Sequence, residues 1–140
     1  EIASVLREKR AAFEVKLPAS NTCRLRTLAF LDDKKYSGYC CTIVLAASGY
    51  PTNPRTGFYL DLSKVEETSN LKLFHAGTKI NNGSIMVTGG RILSVNACCD
   101  TKQEAIDLAY ENIRKIKTYN DSELKEEDSS LAFFRSDIGT

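Results

Sequence analysis

Apolar positions recur along this chain with two periods, one helical and one alternating. Ile2, Val5 and Leu6, with Phe13 beyond, fall on one face of a helix over 2–13, and Arg7, Glu8, Lys9 and Arg10 supply its outer face. Phe13-Glu14-Val15-Lys16-Leu17 alternates as a strand does, and Pro18 ends it. Residues 19–38 give no firm pattern. Arg24–Leu31 has strand character, Asp32-Asp33-Lys34-Lys35 reads as a turn, and no role attaches to 18–38.

Tyr39–Ala47 is a nearly unbroken apolar and β-branched run, which predicts a strand buried on both faces. Ser48–Gly57 is a loop by composition. Short strands follow over Phe58–Leu62, Lys72–Gly77, Gly83–Val87 and Arg91–Cys98, with polar Ser63–Asn70 between the first two and Asn81-Asn82-Gly83 as a hairpin turn. Thr101-Lys102-Gln103-Glu104 is a capping box. Ala105, Leu108, Ala109, Ile113 and Ile116 then share one face, predicting an amphipathic helix over 101–117. Asn120–Ser130 is acidic and reads as a mobile loop, and Leu131–Ile138 closes the domain with two phenylalanines. The predicted class is α+β: a small, mostly antiparallel curled sheet or partial barrel with one main helix and a short N-terminal one.

Composition narrows the possibilities. With 140 residues, 42% hydrophobic and 26% charged, the chain suits one globular domain. A net charge of +1 offers no basic surface for nucleic acid or anionic lipid. No apolar run approaches the roughly 18–20 residues of a membrane helix. The chain starts at Glu1, directly on an amphipathic pattern, and is expected to be a fragment of a longer protein. Cys23, Cys40, Cys41, Cys98 and Cys99 include two vicinal pairs but no Cys-x-x-Cys. Each pair is expected to place one thiol inside and one outside. An odd count in this arrangement reads as reduced thiols of a cytoplasmic protein, without metal.

The most informative stretch is 74–91. It sets Gly77, Gly83, Gly89 and Gly90 among β-formers and carries Lys79 and Arg91. Glycine permits close backbone approach, and the cations suit a phosphate or carboxylate. A hairpin with two surface cations explains the same pattern. Phe74-His75-Ala76-Gly77-Thr78, Gly83 and Gly89-Gly90-Arg91 resemble the C-terminal domain of glycinamide ribonucleotide synthetase, the phosphoribosylamine–glycine ligase of the ATP-grasp superfamily. Further segments fit in the same order: Ile43–Pro51 with Gly57, then Ala97, Asp100-Thr101, Glu104-Ala105, Ala109-Tyr110 and Phe133–Gly139. The resemblance covers residues 40–139 and divides the chain into 1–38, a helix and connecting segment, and 39–140, the C-terminal domain.

The resemblance implies a function. Such an enzyme joins glycine to phosphoribosylamine with ATP and Mg²⁺, in purine biosynthesis. Nucleotide and metal are held upstream, so the isolated chain is expected to be inactive and to bind neither. Its expected partners are the ATP-grasp core and N-terminal domain of the same enzyme and the ribonucleotide substrate or product. Related enzymes hold the ribose 5-phosphate with a Lys and an Arg, and Lys79 and Arg91 are the matching positions. Gly89 and Gly90 leave room for approach, while Thr78 and His75 either add hydrogen bonds or only cap the turn. Arg55 is a third, weaker candidate. Arg135 and Asp137 read as structural, paired with each other or across the domain interface. Ser136 stands where the family usually has a basic residue, and Thr88 where it has Asn.

Beyond this, catalytic chemistry is sparse. The single histidine, His75, reads as structural, and there is neither a Gly-x-Ser-x-Gly nor a Walker loop. Glu66-Glu67 and Glu126-Glu127 read as solvated surface. The competing expectation is a non-catalytic interaction or scaffold module derived from such a domain.

Overall fold

The computed structural model describes residues 38–123 and 126–139. The chain divides into two units, Glu1–Asp32 and Asp33–Thr140, and every described element belongs to the second. The helix expected over 2–13 and the strands expected over 13–17 and 24–31 lie outside the described residues.

Eight strands, one α-helix and a short 3-10 helix (Ser129–Leu131) make up the described fold: β1 (Tyr39–Ala47), β2 (Tyr59–Asp61), β3 (Leu71–His75), β4 (Thr78–Asn81), β5 (Ser84–Val87), β6 (Arg91–Cys99), α1 (Lys102–Ile113), β7 (Lys117–Tyr119) and, after the 3-10 helix, β8 (Ala132–Phe133). The class is α+β and mostly antiparallel, as expected. The strands form two four-stranded sheets, ordered β3-β6-β1-β8 and β4-β5-β2-β7, where a single curled sheet or partial barrel is expected; neither sheet closes on itself. Every step along the described strands changes sheet except β4 to β5, and the β3–β4 and β5–β6 connections are two of these changes.

The first sheet carries the core. Cys41, Ile43 and Leu45 of β1 are buried while Cys40, Thr42 and Val44 are exposed. The expectation of burial on both faces therefore holds only at Leu45–Ala47; before that β1 alternates as a one-sided strand. Val44 was read as core because a β-branched side chain carries no sign of which face it occupies. Helix α1 covers the inner face, laying Ala105, Ile106, Ala109, Tyr110 and Ile113 against β1 and β6. Phe58, Leu60 and Val87 of the second sheet and its approaches, with Leu131, complete the same apolar cluster.

The helix begins where its capping box predicts. Thr101 accepts from the Glu104 N–H, and the Thr101 N–H donates to Glu104 Oε2 at 3.2 Å. It ends at Ile113, four residues earlier than the periodicity suggests, because 117–119 pair with β2 as β7. The turn Asn82-Gly83 joins β4 to β5 with both residues at positive φ (49° and 81°), the geometry of a type I′ hairpin. The acidic stretch after Tyr119 is tied down at Glu127, which bridges back to Tyr119 and pairs with Lys117.

One cysteine expectation is corrected. Cys40 and Cys98 form a disulfide, whereas five reduced thiols were expected. The pairing of β1 with β6 places Cys40 directly opposite Cys98, 58 residues away in sequence. Neither vicinal pair announces that register. Cys41 is buried and Cys99 half-buried, both as free thiols.

Candidate functional site

The β3–β4 and β5–β6 corners touch each other. After β3 the chain turns through Ala76-Gly77, whose N–H groups donate to Ile92 O (2.9 Å) and Arg91 O (2.8 Å). In return the Thr88 N–H donates to Gly77 O at 2.8 Å. A Cβ on Gly77 would lie 2.7 Å from Arg91 O and 2.8 Å from Gly89 Cα, so glycine is the residue that lets the corners meet.

A second layer covers this contact. The loop after β1 folds back so that the Ala47 N–H donates to Gly90 O (2.8 Å) and the Gly57 N–H to Val87 O (2.8 Å). Tyr50, joined to Pro51 by a cis peptide bond, lies on Gly90, where a Cβ would come within 2.4 Å of the ring. The packing requirement at Gly90 thus comes from Tyr50 and Pro54, which the sequence pattern did not connect to it.

Arg91 leaves this corner on a β-bulge. Leu45 pairs with Leu93 but Ala46 pairs with Arg91, so β6 carries an extra residue there. A bulge re-aims a side chain and locally increases twist. Arg91 is exposed, and among the described residues its guanidinium has no hydrogen-bond or ion-pair partner. Lys79 lies in the other sheet, on β4 opposite Met86, and is likewise exposed and without such a partner there. Met86 is opposite Tyr59 and Tyr59 opposite Tyr119, so Lys79 heads a Met–Tyr–Tyr row on that face. Each cation is two residues from a glycine of the corner contact: Lys79 from Gly77, and Arg91 from Gly89.

The remaining candidates are engaged locally. His75 Nδ1 and Thr78 Oγ1 are 2.9 Å apart, bonded to each other across the Ala76-Gly77 turn. Arg55 donates from Nη2 to Asn120 Oδ1 (3.0 Å). Arg135 and Asp137 form a bidentate pair, Nε to Oδ1 at 2.9 Å and Nη2 to Oδ2 at 2.5 Å. That pairing holds the Asp137 carboxyl below its usual range and raises the Arg135 guanidinium. Among the described residues no group of three or more His, Cys, Asp and Glu side chains is placed to hold a metal ion. No described helix is long and apolar enough to cross a membrane.

Residues 40–140 match the family described as phosphoribosylglycinamide synthetase, C domain. The chain belongs to that family. This C domain is 40% identical over 99 residues to the phosphoribosylamine–glycine ligase of Brucella melitensis, covering 70% of this chain and 21% of that protein. It is 33% identical over 93 residues to a bifunctional purine biosynthetic protein of Schizosaccharomyces pombe, covering 66% of this chain and 11% of that protein. Among solved structures, a phosphoribosylamine–glycine ligase from Thermotoga maritima matches with a TM-score of 0.51 and 32% identity, over 59% of this chain and 20% of that one. The chain thus spans about a fifth of the length of the ligases it matches. In this C domain the matched segment contains the glycine corner with Arg91 and Lys79.

Proposed function

We propose that this chain is the C-terminal, substrate-anchoring part of an ATP-dependent phosphoribosylamine–glycine ligase acting in purine biosynthesis in the cytoplasm. The observation that supports this reading most is Arg91, exposed and without a hydrogen-bond or ion-pair partner among the described residues, on a bulge beside Gly89-Gly90 within a domain of that ligase family. Arg91 would take the ribose 5-phosphate bidentately, with Lys79 as a second, point-like charge. Gly77, Gly89 and Gly90 keep the backbone flat beside them. The His75–Thr78 pair braces the turn between β3 and β4 and has a hydroxyl to offer.

The described residues do not fit ATP or Mg²⁺: they form neither a carboxylate cage nor a phosphate loop. Nucleotide and metal would be held by the ATP-grasp core, against which this domain would pack. The chain alone would then be inactive. Residues 39–140 would be the domain proper, and 1–38 a connection from the rest of the enzyme.

Steady-state kinetics of the full-length ligase carrying Arg91→Ala tests this. A charge-assisted hydrogen bond is worth about 1.5–3 kcal/mol, so KM for phosphoribosylamine should rise roughly 10- to 100-fold. KM for ATP should stay near the parent value, and Arg91→Lys should recover part of the loss. Unchanged use of phosphoribosylamine would remove Arg91 from the site. A parent protein that has no ligase activity would favour a scaffold module instead.

A further inference from the structure

β1 and β6 run from the glycine corner, at Ala46 and Arg91, to the Cys40–Cys98 disulfide at their other end. The two residues differ in exposure: Cys40 is exposed, whereas Cys98 is 4% exposed. Both border a cavity of about 560 Å³. Asp100, Glu104, Asp107 and Glu111 line the same cavity, and no Lys or Arg lines it among the described residues. Lys115, 2.7 Å from Glu111, offsets one of these charges from outside. A disulfide with one exposed residue, bordering a hollow lined by four carboxylates, is chemistry that the ligase reading does not use.

We propose that Cys40–Cys98 is a thiol-exchange site that reacts with small cationic thiols in preference to anionic ones and forms its mixed disulfide at Cys40. The attacking thiolate bonds to Cys40 Sγ, the Cys40–Cys98 bond breaks, and Cys98 leaves as a thiolate that takes up a proton. A second thiol then attacks the mixed disulfide. It releases the small-molecule disulfide and leaves Cys40 as a thiol, so two small thiols are oxidised as one protein disulfide is reduced.

Access selects Cys40 as the sulfur attacked. The field selects the reagent. Both the attacking and the leaving thiolate meet four carboxylates, and an ammonium on the reagent offsets that repulsion while a sulfonate adds to it. The neighbouring Cys99 thiol responds to the same surroundings: burial pushes it up, and Glu104 and Asp100 push it further. It is therefore a poor internal competitor for the exchange.

The test uses the oxidised full chain, with cysteamine and 2-mercaptoethanesulfonate as probes. Rates are expressed per thiolate and normalised to each probe's rate with a small neutral disulfide. Intact mass and peptide mapping locate the adduct. At low ionic strength cysteamine should be faster by roughly fivefold or more, and the ratio should shrink towards one in molar salt as the charges are screened. Asp100→Asn combined with Asp107→Asn, both at exposed positions, should lower the ratio without salt. The first adduct should map to Cys40. A ratio of one at low salt, a ratio indifferent to salt, a first adduct on another cysteine, or a chain whose Cys40 and Cys98 are both free thiols would each overturn the proposal. None of these readouts depends on ligase activity.

Discussion

Gly77→Ala should be the most damaging single-methyl change at the glycine corner. The added Cβ meets backbone on every near side: Arg91 O at 2.7 Å, Gly89 Cα at 2.8 Å and Gly89 N at 2.9 Å. No rotamer can move these atoms. The corners must separate by about 0.7 Å to bring the shortest of these contacts to 3.4 Å, where ordinary van der Waals contact begins. Overpacking of this kind costs about 1–3 kcal/mol. The separation also stretches two 2.8 Å bonds, Gly77 N–H to Arg91 O and Thr88 N–H to Gly77 O, and weakening these adds about 1 kcal/mol. Against this, alanine restricts the unfolded chain and returns about 0.4–1 kcal/mol. The net loss is about 2 kcal/mol, or roughly 6–10 °C in Tm for a chain of this size. Gly90→Ala is the informative partner. Its Cβ comes even closer to a neighbour, 2.4 Å, but every near atom belongs to a side chain: the ring of Tyr50, which is 39% exposed, and Pro54 Cβ at 3.1 Å. That variant should lose less than about 1 kcal/mol. Urea unfolding of the two variants beside the parent, with m compared as well as the midpoint, decides the matter. A Gly77→Ala chain within 0.5 kcal/mol of the parent, or a Gly90→Ala chain that loses more than Gly77→Ala, would refute the account of the corner.

Other outcomes follow from single contacts. Ile43→Ala should cost about 2–5 kcal/mol and Val44→Ala under about 1 kcal/mol, because Ile43 is 0% exposed and its neighbour 44%; equal losses would contradict the one-sided burial of β1. Tyr110→Phe should cost about 1–3 kcal/mol and speed amide exchange at Ile138, because the hydroxyl donates to Arg135 O and accepts from the Ile138 N–H, each at 2.9 Å. Acidification should destabilise the fold. Hydrogen bonds from Ser63, Ser130 and Arg135 hold the Asp61, Asp128 and Asp137 carboxyls below their usual values. Their contribution is present above the unfolded carboxylate value near about 4 and is lost as pH falls through the folded values; a Tm that rises or holds from pH 6 to pH 3 would contradict this.

Much of the fold is legible where one local rule acts alone. Thr101 and Glu104 mark the start of α1 because a capping box is complete within four residues. The Asn82-Gly83 turn is equally local. Features set by partners far along the chain are not legible. β4 is hidden because Lys79, Ile80 and Asn81 read as the approach to a turn and become a strand only through pairing with β5. β7 takes Lys117 from the expected helix because β2 offers it an edge. At the candidate site, the glycines and the cations were visible as residue types. The bulge under Arg91, the ring of Tyr50 over Gly90 and the commitment of Arg55 to Asn120 all depend on register or loop closure. The Cys40–Cys98 pairing depends on register as well.

The alternation of strands between sheets has a kinetic meaning. β4 and β5 are the one pair of consecutive described strands that bond to each other. β1 emerges first among the described strands during synthesis, yet its partners are β6 and β8. Among the described strands it has none to pair with until residues 91–99 have left the ribosome, and β8 joins its other edge only when 132–133 follow. Such non-local pairing pays its loop-closure entropy before its contacts form, and so it folds slowly. The hairpin at Asn82-Gly83 and helix α1, both local, are the natural first elements. Through the interval before β6 arrives, the nascent chain carries an unpaired strand of Ile43, Val44 and Leu45, the segment of this domain most in need of protection from other chains.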